Sequence, residues 1–152
     1  MGRSRQSAIA ELGDAMQRYQ RSVQAFDDSV GRQLRLGPSD LRCLDWLVDG
    51  PKTAGQLSTA TGLRPAATTA LVDRLVARGL VERVPSEKDR RQVLVTMTDE
   101  GQRVTWEAYR PLVEEGQREL GKFTIAQLDL MRQQLEDMRT LTDRHRERLD
   151  NS

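Results

Sequence analysis

The sequence predicts a mainly α-helical fold with a small β wing, on three observations. Apolar residues recur in steps of three and four along two long stretches, one near each end of the chain. Between them lies a block punctuated by proline and glycine at the spacing of short helices. After Gly79 the apolar period changes from helical to two, as strands require.

The first helix is read from Ile9, Leu12, Met16, Tyr19, Val23, Phe26, Val30 and Leu34. At the helical rise per residue it is roughly 40 Å long, more than one small domain covers with its own core. Leu36, Gly37 and Pro38 open a second helix, with proline in the first turn where its missing N–H does no harm. Leu41, Leu44, Leu47 and Val48 share its face until Gly50 and Pro51 stop it. Thr53 and Gln56 then have the spacing of a capping box and start a short helix that ends at Gly62. Residues 65–78 form the next, with Leu71, Val72 and Leu75 as buried stripe and Gly79 as C-terminal cap.

Residues 80–84 and 93–97 read as strands of a two- to three-stranded wing, joined by the charged loop 85–92. A helix from near Thr98 towards Gly121 follows, and Pro111 is expected to bend it. In the last helix Thr124 and Gln127 form a capping box, with Phe123 and Leu128 placed as a hydrophobic staple. Its seam is Leu128, Met131, Leu135, Met138, Leu141, His145 and Leu149. Two such seams predict either intertwined terminal helices from two subunits or an intramolecular helix pair. The first gives a single intertwined domain: a helical dimerisation region of 1–35 and 102–152, around a lobe of 36–101.

Composition narrows the function. Apolar residues make up 37% of the 152 and charged ones 31%, the balance expected of long helices with polar faces. The net charge of +1 hides an uneven distribution: residues 52–91 hold eight basic side chains against four acidic, whereas 92–152 hold nine against twelve. A basic centre suggests a polyanionic partner. With one cysteine there is no internal disulfide, and no apolar run approaches the roughly 20 residues of a bilayer span. An amphipathic start in place of a signal peptide makes a cytoplasmic protein the expectation. One histidine and one cysteine, with neither zinc-ligand spacing nor a glycine-rich phosphate loop, argue against an enzyme, a metal site or a cofactor.

Helix, tight turn at Gly62, helix, strand, charged loop and strand make the order of a winged helix-turn-helix. Its second helix carries Ala66, Ala67, Thr68, Thr69 and Ala70 in its first turns. Small and hydroxyl side chains let a backbone approach base edges in the major groove, and threonine methyls can meet thymine methyls. The competing reading is that these alanines and threonines pack tightly against the preceding helix. Arg64 stands at the N-cap, where Ser, Thr or Asp would satisfy the amides; it either contacts phosphate or guanine or is an ordinary exposed arginine. Arg74 is placed near a backbone phosphate, and Arg78 at the C-terminal end of its helix, complementing the dipole. In the loop, Lys88, Arg90 and Arg91 offer basic side chains to a narrow minor groove, with Asp89 orienting Arg91 by a carboxylate to guanidinium contact. Taken alone, the loop also reads as a solvated turn.

These residues resemble the MarR family of bacterial transcription regulators. The resemblance rests on LGPSDLRCLDWL, on LVDRLVARGLVERV, similar to the family's L-V-D-R-L-x-x-x-G-L-V-x-R, and on DRRQVLVTMT, similar to its D-x-R wing pattern; DEG follows. It covers about 36–101 by motif and the remaining helices by length and pattern. It implies a triangular homodimer joined through the terminal helices and bound to a pseudo-palindromic double-stranded DNA operator, most often as a repressor. The family's recognition-helix positions correspond to Ala66, Thr68, Thr69 and Arg74, and its wing arginine and supporting aspartate to Arg91 and Asp89. Ala70, where a basic residue is common, and Arg64, where a small hydroxyl residue is usual, depart from the pattern and bear on the operator sequence.

The resemblance also implies release by a small aromatic or phenolic ligand, or through a reactive cysteine. Trp46, on the polar side of its helix, either lines a ligand pocket or meets another helix of the dimer. Cys43 lies beside the apolar arc of that helix and reads as a buried inert thiol, with a redox sensor as the alternative. His145 reads as a packed or interface histidine. A second functional class is a winged-helix module that binds protein and not DNA.

Overall fold

The computed structural model describes residues 4–152. Packing divides the chain into two units, the first to residue 108 and the second from 109. The first opens with α1 (Arg5–Leu34), whose N-cap Ser4 accepts a hydrogen bond from the Ser7 amide at 3.0 Å. There follow α2 (Pro38–Val48), the two-residue β1 (Lys52–Thr53), α3 (Ala54–Thr61), α4 (Pro65–Ala77), β2 (Val81–Pro85) and β3 (Val93–Met97). Helix α5 (Asp99–Leu120) begins in this unit, and α6 (Ile125–Asp150) belongs to the second.

The core of the first unit is assembled where the short helices meet the sheet. Leu41, Cys43, Leu44 and Leu47 of α2, Leu57 of α3, Leu71, Val72 and Leu75 of α4, and Val81, Val95 and Met97 of the strands are all buried. Each buried Leu or Val contributes on the order of 1.5–3 kcal/mol relative to exposure. The inward arc of α2 runs through Cys43; Val48, expected on it, is 66% exposed at the helix's last turn. The sheet is antiparallel in the order β1-β3-β2, with Val81 opposite Met97 and Arg83 opposite Val95. Strand β1 pairs Lys52 with Val95 and Thr53 with Leu94, which completes a three-stranded wing.

Helix ends follow local chemistry. The capping boxes at Thr53/Gln56 and Thr124/Gln127 are formed as expected. Helix α4 ends in a Schellman turn: Gly79 has φ +70°, its amide reaches the Val76 carbonyl and the Leu80 amide that of Leu75. Thr98 ties the sheet to this turn, donating to the Gly79 carbonyl at 2.6 Å while accepting from the Gly101 amide in the first turn of α5. Gly101 is there because nothing larger fits: a Cβ would overlap the Leu80 carbonyl oxygen and lie 2.8 Å from Met97 Cγ. Helix α5 continues through Pro111.

The second unit has a different surface. Along α6, Leu130, Met131, Leu135, Met138, Leu141 and Leu149 are exposed, as are His145 and, in α1 of the first unit, Ile9, Leu12, Tyr19 and Val23.

Candidate nucleic-acid interface

The turn between α3 and α4 sets the angle of the second helix. Gly62 takes φ +71°, which a Cβ would disfavour, and its amide reaches the Ser58 carbonyl at 2.9 Å. Ser58 donates through its hydroxyl to the Leu63 carbonyl, and Thr61 to that of Leu57. These two hydroxyls lock the turn. Sequence reading missed both, although serine and threonine in the last turns of a short helix are a recognisable signal for such bonds.

Helix α4 then presents two faces. Thr68, Leu71, Val72 and Leu75 point inward. Ala66, Ala67, Thr69, Ala70 and Arg74 are exposed on the other side, as is Arg64 at the N-cap. Thr68 corrects the expectation of base contact: it is 1% exposed, and its hydroxyl bonds back to the Arg64 carbonyl at 3.1 Å. It lies one turn before Leu71 and Val72 on the same stripe, and burial there wins over hydroxyl chemistry. Ala67 and Ala70 are not consumed by packing, which leaves the low surface that close approach to a groove requires. Thr69 is exposed, and its hydroxyl donates to the Pro65 carbonyl at 3.1 Å. Arg64 makes no side-chain cap, so the first amides of α4 retain the partial positive charge of a helix N-terminus.

Arg74 is held in place. Its guanidinium meets Asp40 at 3.0 Å, and the other oxygen of Asp40 accepts the Gly37 amide at the start of α2. The arginine remains 59% exposed, so one edge is anchored while the side chain still faces solvent. Asp73 pairs in turn with Arg83 of β2 at 2.7 Å, tying α4 to the wing and offsetting the carboxylate on this face. Neither pairing was foreseen, because each joins residues from separate elements.

At the wing, Ser86 is the organising residue. It is buried, its amide donates to the Gln92 carbonyl at 2.9 Å, and its hydroxyl accepts from the Lys88 and Asp89 amides. Asp89 does support Arg91, but through the backbone: its carboxylate accepts the Arg91 amide at 3.0 Å, and no guanidinium contact is formed. A carboxylate that closes the turn leaves the arginine side chain outside it. Lys88, Arg90 and Arg91 are accordingly exposed at the tip. Arg78 stands at the C-terminal end of α4, as expected, and its guanidinium donates to the carbonyls at the end of α1.

Cys43 is fully buried, and burial together with nearby Asp40 pushes its thiol up to about 11. A sensor thiol needs a stabilised thiolate and solvent access. This environment supplies neither, and the oxidation-sensor alternative is set aside. Trp46, four-tenths exposed on α2, is available to a ligand or a neighbouring helix. Among the described residues no group of three histidine, cysteine or carboxylate side chains is arranged to hold a metal, and no helix is long and apolar enough to cross a membrane.

Comparison with known proteins bears on this geometry. The model of the MarR family matches residues 36–92. An uncharacterized HTH-type transcriptional regulator of Bacillus subtilis, YcgE, is 36% identical over 107 residues, covering 70% of each chain. Another, Mb0904 of Mycobacterium bovis, is 30% identical over 75% of this chain and 85% of its own. Among solved structures, a MarR family transcriptional regulator from Silicibacter pomeroyi superposes with a TM-score of 0.65 at 26% identity, covering 89% of this chain and 91% of that one. The transcriptional regulator BldR from Sulfolobus solfataricus gives 0.56 at 26% identity, over 93% and 99%. With its wing, its helix-turn-helix and these relatives, the chain belongs to the MarR family of winged helix-turn-helix transcriptional regulators and is not an enzyme.

Proposed function

We propose that the protein is a cytoplasmic repressor that binds a pseudo-palindromic double-stranded DNA operator as a homodimer. One observation carries this reading: the exposed face of α4 is low and nearly uncharged over Ala66, Ala67, Thr69 and Ala70, with arginine at either end, and the same unit carries a wing tipped by Lys88, Arg90 and Arg91. A low face suits base edges in the major groove, and basic flanks suit phosphate and the minor groove. In this reading Arg64 and Arg74 meet phosphates, Thr69 and the alanines meet bases, and Arg91 enters the minor groove beside Lys88 and Arg90, with Asp89 shaping the turn.

Residues 1–35 and 102–152 form the dimerisation region and 36–101 the DNA-binding lobe. The exposed seams of α1 and α6 favour a second copy as the cover for both. Two lobes then meet half-sites about 34–36 Å apart. A small aromatic or phenolic effector releases the DNA by altering that separation. Trp46 is a candidate contact, and the buried hydroxyl of Thr105 in α5 is a second, since it has no hydrogen-bond partner among the described residues.

The test is footprinting of the purified protein on the DNA flanking its own gene, over a range of salt and with a panel of aromatic acids. A two-fold symmetric protected site whose affinity falls steeply with salt is the expected result. No protection in dilute buffer would overturn the reading, and protection insensitive to every aromatic acid would remove the proposed effector class.

A further inference from the structure

Helix α1 ends in an unusual way. Arg35 takes the left-handed conformation, φ 54° and ψ 46°, and is the non-glycine residue with positive φ among those described. The Leu36 amide reaches back to the Gly31 carbonyl at 2.8 Å and the Arg35 amide to that of Arg32, a Schellman turn built without glycine at its left-handed position. Gly31 permits the close return, since a Cβ there would sit 2.8 Å from the Leu36 carbonyl oxygen and 3.1 Å from Leu41. The turn is thus tight and strained, and its last carbonyls have no helical donor.

Arg78 supplies the donors from a place 43 residues further along the chain. One terminal nitrogen donates to the Arg35 carbonyl and the other to the Leu34 carbonyl, each at 2.7 Å. A planar fork meeting two adjacent carbonyls fixes orientation as well as distance, and its charge lies at the negative end of the α1 dipole. The other end of this side chain is equally fixed. Arg78 is the C-cap of α4, immediately before the Gly79 turn that Thr98 holds from the sheet.

We propose that Arg78 is a positioning residue that clamps the end of α1 to α4 and so sets how each recognition helix is carried by the helix assigned to dimerisation. The effect on paired half-sites rests on the homodimer reading above; the clamp itself does not. Arg78 touches no DNA in this account. Its loss leaves each lobe able to bind but lets the two lobes vary in separation.

Arg78→Ala and Arg78→Lys are the variants to compare, with thermal unfolding as the check on folding. Two readouts apply: hydrogen exchange at the Leu36 amide, and affinity for a duplex carrying a two-half-site palindrome selected by the wild-type protein from random DNA, against one carrying a single half. The clamp predicts exchange at Leu36 faster by about tenfold in the alanine variant, affinity for the palindrome lower by about tenfold and affinity for the single half within about threefold of wild type. Lysine, unable to span both carbonyls with a planar fork, restores only part of either. Unchanged exchange overturns the clamp. Equal losses on both duplexes, with a shallower salt dependence and full rescue by lysine, overturn it in favour of a phosphate contact. If the alanine variant does not fold, the lysine variant decides on the same readouts. A wild-type protein of single-chain mass in solution defeats the homodimer reading, and Leu36 exchange then judges the clamp by itself.

Discussion

Two regions of this chain solve the problem of apolar surface in opposite ways. Among the described residues, every large apolar side chain of the buried core lies between Val30 and Met97, where three short helices and a small sheet cover one another. Outside that span the described apolar residues of α1 and α6 repeat at helical spacing but stay largely open: Leu12 is 62% and Leu135 66% exposed. The same pattern in sequence therefore has two meanings. In the lobe, periodicity marks a face buried within one chain; in the terminal helices it marks a face that stays exposed. An exposed seam several turns long is the kind of patch that signals association.

The comparison breaks most visibly at Gly101. Valine there drives its side chain into the Leu80 carbonyl and Met97, between the first turn of α5 and the sheet, where backbone cannot yield cheaply. A loss on the order of 3 kcal/mol or more is expected in thermal or urea unfolding. A variant as stable as wild type would mean that the lobe is not closed by this contact.

A smaller effect sharpens the other side. Arg91→Ala removes an exposed side chain whose amide alone takes part in the wing turn, so stability is expected to hold while operator affinity falls by about tenfold. Fluorescence anisotropy on the footprinted duplex reads the affinity and thermal unfolding reads the fold. Equal affinity would take the wing out of DNA recognition.

Much of the lobe was legible because its boundaries are written in local chemistry. Pro65 and Gly79 bracket α4, and Thr53 with Gln56 starts α3, through interactions spanning three or four residues. What escaped depends on partners distant in sequence or on elements too short to show a period. Strand β1 is two residues long and exists only because β3 lies beside it. The contact of the Arg78 guanidinium escaped because the carbonyls it meets belong to α1. Thr68 was misread for another reason. The stripe was read as 71, 72 and 75; position 68 extends it by one turn, and weighing residue type above position put an inward threonine among the base contacts. Asp89 was expected to meet the Arg91 guanidinium and meets its amide, because a turn closed by a carboxylate and one salt-bridged by it have the same sequence.

The most direct test of the contrast between a self-contained lobe and uncovered terminal helices is the mass of the full chain in solution, by light scattering at micromolar concentration, beside that of Leu135→Lys. The account predicts twice the chain mass for the wild type, and for the variant a shift to the single-chain mass with the unfolding transition of the lobe preserved. A wild-type protein of single-chain mass, or a variant that stays paired as tightly as wild type, would contradict it.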